Sequence, residues 1–191
     1  MSFSELVKRS RSYRSFRTDT PITEEVLREL VELTRACPAA MNLQVLKYRL
    51  VSASEEVSAL LAKTRWAASL AQKMPPEGQE PSGFIVICHD TAIAEERPIF
   101  GIDVGIAAQT IMLGACEKGF GGCILGSAVP EVVSELLAIP PHLKPVLVLG
   151  LGAPDETVVL TEAKDGAVKY YRDENNVHYV PKRPLDELII S

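Results

Sequence analysis

No motif that declares a chemistry by itself is present in this 191-residue chain. There is no GxSxG, no HExxH and no P-loop. The glycine-rich GFGGCILG of residues 119–126 has the wrong spacing for GxGxxG and follows a helical pattern instead of a strand. His89, His142 and His178 are scattered, with no carboxylate motif beside them. Cys37, Cys88, Cys116 and Cys123 form no close pair, and three of them sit in apolar surroundings. Free thiols of that kind serve as small core residues, so we expect no metal and a reducing, cytoplasmic compartment. With no nucleophile and no acid–base pair, catalytic residues are not assignable, and the chemistry is expected from a bound cofactor.

A surplus of positive charge is also missing. The formal net charge is −5, which argues against nucleic acid or an anionic membrane surface as partner. The long apolar stretch near residues 101–116 is interrupted by Asp103, Gln109 and several glycines, and reads as a buried helix of a soluble protein. The opening MSFSELVKR runs into further arginine and not into an apolar segment, so no secretory leader is expected. Repeats and low-complexity tracts are absent. With 47% hydrophobic residues, the chain can close one sizeable core, and we expect a single domain over 1–191.

The pattern alternates helix and strand. A short helix is expected over 2–9 and a second after Thr23, whose hydroxyl can cap the first amides while Ile22 and Leu27 form a hydrophobic staple. That helix should stop before Pro38. A strand at 47–53, a helix at 54–69, a loop at 73–83 and a buried strand at 84–90 follow. Next come an apolar helix over 101–118, a short inner strand at 121–127, a helix at 130–139 and a central strand at 144–154. Residues 167–180 place two alternating runs around Asp-Glu-Asn-Asn, an antiparallel hairpin signature. The tail 181–191 is mostly apolar and is expected to cover something, a partner subunit included.

Three stretches invite a ligand. RSRSYRS interleaves Ser10, Ser12 and Ser15 with Arg11 and Arg14, and can grip a phosphate through charge-assisted hydrogen bonds; without a ligand it is a solvated charged face. PAAMNLQ puts Asn42 and Gln44 on a connection where their amides either recognise a flat heterocycle or simply cap the loop. Around GGCILGS, Gly121, Gly122 and Gly126 permit close backbone approach, and an amide near Gly126 can donate to a ring nitrogen.

In chain order, RSYRSF, CPAAMNLQ, DVGIAAQTIMLGACEKGFGGCILG, IPPHLKPVLVLGLGAP and VPKRPLDELI resemble the nitroreductase family of flavin-dependent oxidoreductases over nearly the whole length. The resemblance implies an α+β fold with a mixed, mainly antiparallel central sheet flanked by helices and a C-terminal arm reaching a partner subunit. It further implies a homodimer holding FMN at its interface, with hydride passing from NADH or NADPH through flavin N5 to a small electron-poor acceptor such as a nitroaromatic or quinone. By position, Arg11, Ser12 and Arg14 match the N-terminal FMN contacts. Asn42 and Gln44 match positions near the flavin, its phosphate or the partner surface. Leu125 and Gly126 match the backbone beside the flavin ring, and Lys182 or Arg183 matches a late phosphate contact. Ser10 stands where many relatives carry arginine, Val45 and Leu46 replace a more usual Pro-Trp, and the segment between Trp66 and Phe84 is short. Other readings of the same features are a flavoprotein with another reaction, such as enone reduction, and a flavin-binding sensor without turnover.

Overall fold

A computed structural model describes residues 1–67, 70 and 72–190. The backbone groups into two compact units, Met1–Pro154 and Asp155–Ser191, where the sequence suggests one domain.

In the first unit, helices α1 (Phe3–Arg9), α2 (Glu24–Thr34), α3 (Ser54–Leu61), α4 (Phe100–Glu117) and α5 (Pro130–Leu136) surround strands β1 (Phe16–Arg17), β2 (Leu46–Val51), β3 (Gly83–Asp90), β4 (Gly121–Leu125) and β5 (Leu143–Pro154). All ladders of this sheet are antiparallel. Strand β5 is its centre, pairing with β1, β3 and β4, and β2 lies beyond β3.

The period-2 rule shows why β3 is apolar throughout. Phe84, Val86 and Cys88 face one core with Val57 and Leu60 of α3 and Val133 of α5. Ile85 and Ile87 face a second core with Leu27 and Leu30 of α2 and Ala107, Ala108, Ile111 and Ala115 of α4. The sheet is therefore covered on both faces, and all eight β3 residues are buried. Burying a large aliphatic side chain is worth roughly 1.5–3 kcal/mol, so these two layers carry much of the unit's stability. Small residues set the spacing. A Cβ on Gly114 would stand 2.5 Å from Leu33, which lets α2 lie close against α4. Helix α4 is long and apolar enough to cross a bilayer, and half of it is buried within this fold.

Thr23 caps α2 as expected, its hydroxyl accepting from the Val26 amide, and Ile22 and Leu27 are both buried. Helix α3 is shorter than the expected 54–69. It ends at Leu61 because the chain must turn Trp66 into the core against Phe16, at a centroid separation of 6.1 Å. Ala68 and Ser69, the far end of that expected helix, lie outside the described residues.

The second unit holds β6 (Val158–Glu162), β7 (Tyr171–Arg172) and β8 (His178–Lys182), in the order β6-β8-β7. The expected hairpin exists as β7 and β8, with Arg172 opposite His178, but its first strand has only two residues. Asp173 fixes the turn, its Oδ1 accepting the amides of Asn175 and Val177 at 2.9 Å each. The other edge of β8 pairs in parallel with β6, a strand the sequence pattern did not reveal. A buried ion pair joins Arg172 to Glu156, and Leu185, Leu188, Ile189 and Ile190 of the tail are exposed.

Candidate functional site

The basic segment after α1 threads between α4 and β4. Ser10 Oγ donates to the Met112 carbonyl at 3.5 Å, the Tyr13 amide donates to Gly122 O at 2.8 Å, and Ser12 forms a parallel bridge with Gly122. The close fit depends on missing side chains. A Cβ on Gly121 would stand 2.5 Å from the Tyr13 ring, and one on Gly122 would stand 2.2 Å from Gly150 O. RSYRSF and GGCILG, far apart in sequence, are thereby brought side by side, with Leu125 buried and Gly126 exposed at the end of β4. Nothing lies within 4 Å of where a Gly126 Cβ would be, so its backbone is open to approach.

Positive charge gathers at this crossing. Arg11 sends Nη2 to the Val7 carbonyl at 2.7 Å, and Arg14 sends Nη1 to Ser12 O at 3.1 Å. Arg11 has no carboxylate partner among the described residues, and its Nε is buried without a hydrogen bond. A buried guanidinium N–H left unmet is costly unless an acceptor is brought to it. The thiol of Cys116 on α4 registers the same field: burial pushes its pKa up, while Arg9 and Arg11 pull it down.

Asn42 and Gln44 occupy a second cluster. Met41, Asn42 and Gln44 have φ of 53°, 54° and 52°, a left-handed conformation that non-glycine residues adopt at a cost of about 1–3 kcal/mol each. The loop is held by Asp103, whose carboxylate accepts the Ala40 amide. Gln44 Nε2 donates to Asn42 O at 3.3 Å. Together with Cys37, Tyr48 and Asp103 these amides line a cavity of about 220 Å³. Burial raises the Tyr48 pKa, and the neighbouring Cys37 and Asp103 raise it further against a hydrogen bond with Thr34.

The two clusters meet different ends of α4. Asp103 and Met112 are nine residues apart on that helix, about 14 Å along its axis. One chain therefore presents Arg11, Ser12, Arg14, Leu125 and Gly126 as one group, and Asn42 with Gln44 as another. Lys182 and Arg183 belong to the second unit, where Arg183 Nη1 binds Glu187 at 2.9 Å. Cavities of about 730 and 610 Å³, one beneath α3 and one between α2 and β2, contain none of the residues expected from the sequence.

One pair escaped the sequence reading. Ser127 Oγ accepts the Arg65 amide at 3.1 Å and donates to the Arg65 carbonyl at 2.8 Å. A serine following a strand carries no signal of so distant a partner.

Comparison with known proteins gives the family of the chain. Residues 7–153 match the nitroreductase family. The chain is 28% identical over 170 residues to the FMN reductase (NADPH) of Bacillus subtilis (strain 168), an alignment covering 78% of this chain and 65% of that protein. It is also 28% identical over 166 residues to the NADPH-flavin oxidoreductase of Vibrio harveyi, covering 80% and 65%. The chain thus spans just under two thirds of the length of these relatives. Among solved structures, the nitroreductase family protein of Streptococcus pneumoniae TIGR4 superposes with a TM-score of 0.71 at 21% identity, covering 100% of both chains. The sequence match over residues 7–153, supported by the shared fold, shows that this chain belongs to the nitroreductase family.

Proposed function

We propose that the chain is an FMN-dependent oxidoreductase that takes reducing equivalents from NADH or NADPH and passes them to a small electron-poor acceptor, such as a nitroaromatic or a quinone. The observation that carries this reading is Arg11, a cation with a buried Nε lacking an acceptor, beside a glycine-lined strand whose open end is Gly126. That donor set fits a phosphate and a flat ring. FMN, when bound, supplies the two-electron carrier that the chain lacks.

The protein's own residues bind and orient. Arg11 and the Ser12 hydroxyl hold phosphate oxygens through charge-assisted hydrogen bonds. Arg14 stands ready to stabilise negative charge on the pyrimidine side, and the backbone at Leu125 and Gly126 lies along the ring. A second copy completes the site. Asn42 and Gln44 approach from the partner subunit, which is why they stand apart from Arg11 within one chain. The exposed apolar residues Met41, Leu43, Ile99 and Ile102, the last 57% exposed, give that copy a surface to bury. The apolar tail, with Leu185, Leu188, Ile189 and Ile190 exposed, is offered to the partner subunit. The reducing cytoplasm is the compartment that suits the free cysteines.

The test is an absorbance spectrum of the dialysed protein, followed by anaerobic addition of NADH or NADPH. Flavin bands that bleach support the reading. Bound flavin that stays oxidised favours a sensor, and a protein that cannot take up FMN overturns the proposal.

A further inference from the structure

Arg65 is held in a way that packing does not require. One side chain, Ser127, engages both backbone groups of this residue from 62 positions away, with Oγ accepting its amide and donating to its carbonyl. A serine hydroxyl has one proton to give, and here it is spent on the carbonyl. The neighbours are fixed too. Thr64 Oγ1 donates to Leu61 O at 2.9 Å and accepts from Trp66 Nε1 at 2.9 Å, while the Trp66 ring fills the space left by Gly150.

The side chain in the middle is treated differently. Arg65 is exposed, and its guanidinium has no hydrogen bond or ion pair among the described residues. Ser127 directly follows Gly126, so the tether brings the backbone from which this cation extends to the open end of β4. A long cation on an immobilised backbone loses less freedom on binding than one on a loose loop. Its planar fork is matched to two oxygens of a phosphate or carboxylate.

We propose that Arg65 recognises an anionic group on a redox substrate, and that Ser127 is the positioning residue that aims it. The proposal rests on the flavin reading above, because it assumes that Gly126 borders the place where substrates meet the ring. The shared chemistry is an oxyanion. It belongs either to the phosphates of the nicotinamide coenzyme or to a carboxylate on the acceptor.

Steady-state kinetics of the FMN-loaded protein separates these sources. Arg65→Ala, Arg65→Lys, Ser127→Ala and a control, Lys63→Ala, would be compared with NADPH and NADH, using 4-nitrobenzoate as an anionic acceptor and nitrobenzene as its neutral counterpart. For Arg65→Ala the KM of the recognised anion should rise about tenfold at low salt, with kcat held and the difference shrinking as salt rises. Ser127→Ala should shift the same KM in the same direction, Arg65→Lys should recover part of it, and Lys63→Ala should not move it. A rise confined to the coenzymes assigns their phosphates, and a rise for 4-nitrobenzoate without nitrobenzene assigns the acceptor carboxylate. KM values all within twofold of wild type overturn the proposal, as does loss of FMN from Arg65→Ala, which would make Arg65 a flavin ligand. Wild-type protein that never binds FMN instead overturns the reading on which the proposal stands.

Discussion

Both carboxylate oxygens of Asp103 accept the backbone amide of Ala40, at 3.0 and 3.1 Å, so a residue of α4 holds the loop carrying Asn42 and Gln44. Asp103 is 6% exposed. Asp103→Ala should leave the Ala40 amide unmet and cost about 1–3 kcal/mol, read from the urea midpoint. Asp103→Asn, which keeps one acceptor oxygen, should lose less. Equal losses in the two variants would show that the charge and not the hydrogen bond matters.

Arg11→Ala tests the phosphate grip. Arg11 is half-buried and makes one internal hydrogen bond, to the Val7 carbonyl, so the apo protein should melt within a few degrees of wild type. Its FMN dissociation constant should rise about 10- to 150-fold, the worth of a charge-assisted hydrogen bond of roughly 1.5–3 kcal/mol. Flavin fluorescence during titration measures it, and undiminished affinity would remove Arg11 from the site.

Gly150→Ala should damage the fold instead of the ligand. A Cβ there would stand 2.4 Å from the Trp66 ring and 3.2 Å from Phe84. Overpacking of this kind costs about 1–3 kcal/mol, to be read by chemical denaturation. Gly126→Ala, with open space at its Cβ, should leave stability unchanged in the same assay.

Cys88, in the middle of the sheet, has its thiol pKa pushed by burial from 9.0 up to about 11. The unfolded chain therefore releases this proton first. The contribution is fully present below pH 9 and is lost as pH rises toward 11. Cys88→Ala should flatten that part of the alkaline decline. In the native protein at neutral pH, alkylation mapped by mass spectrometry should mark the half-exposed Cys37 well before Cys88.

Where one periodicity ruled, the sequence was legible. The apolar run FIVICHD became a strand buried on both faces, and the glycine-rich KPVLVLGLGAP became the shared centre of the sheet. Local chemistry was legible too, as at the Thr23 cap and the buried Asp103, which found the partner that burial demands. Pairings set by tertiary structure were not. Alanine-rich spacing after Leu61 suits a helix, yet burying Trp66 against β5 wins over propensity. Nothing in the spacing tells that β8 takes a parallel partner, or that Ser127 reaches back to Arg65. The order of short motifs along the chain was legible, but that RSYRSF lies beside β4, and that Asn42 and Gln44 stand apart from Arg11 along α4, needed coordinates.

The lodging of Trp66 against Gly150 also makes the protein its own optical instrument. This is the chain's one tryptophan, so all of its tryptophan emission comes from a single place beside the central strand. Excited at the red edge of its band, where the five tyrosines do not absorb, it would time the entry of water there by a red shift, with no label. Because tryptophan emission overlaps flavin absorption, quenching of the same signal would follow cofactor loading in real time.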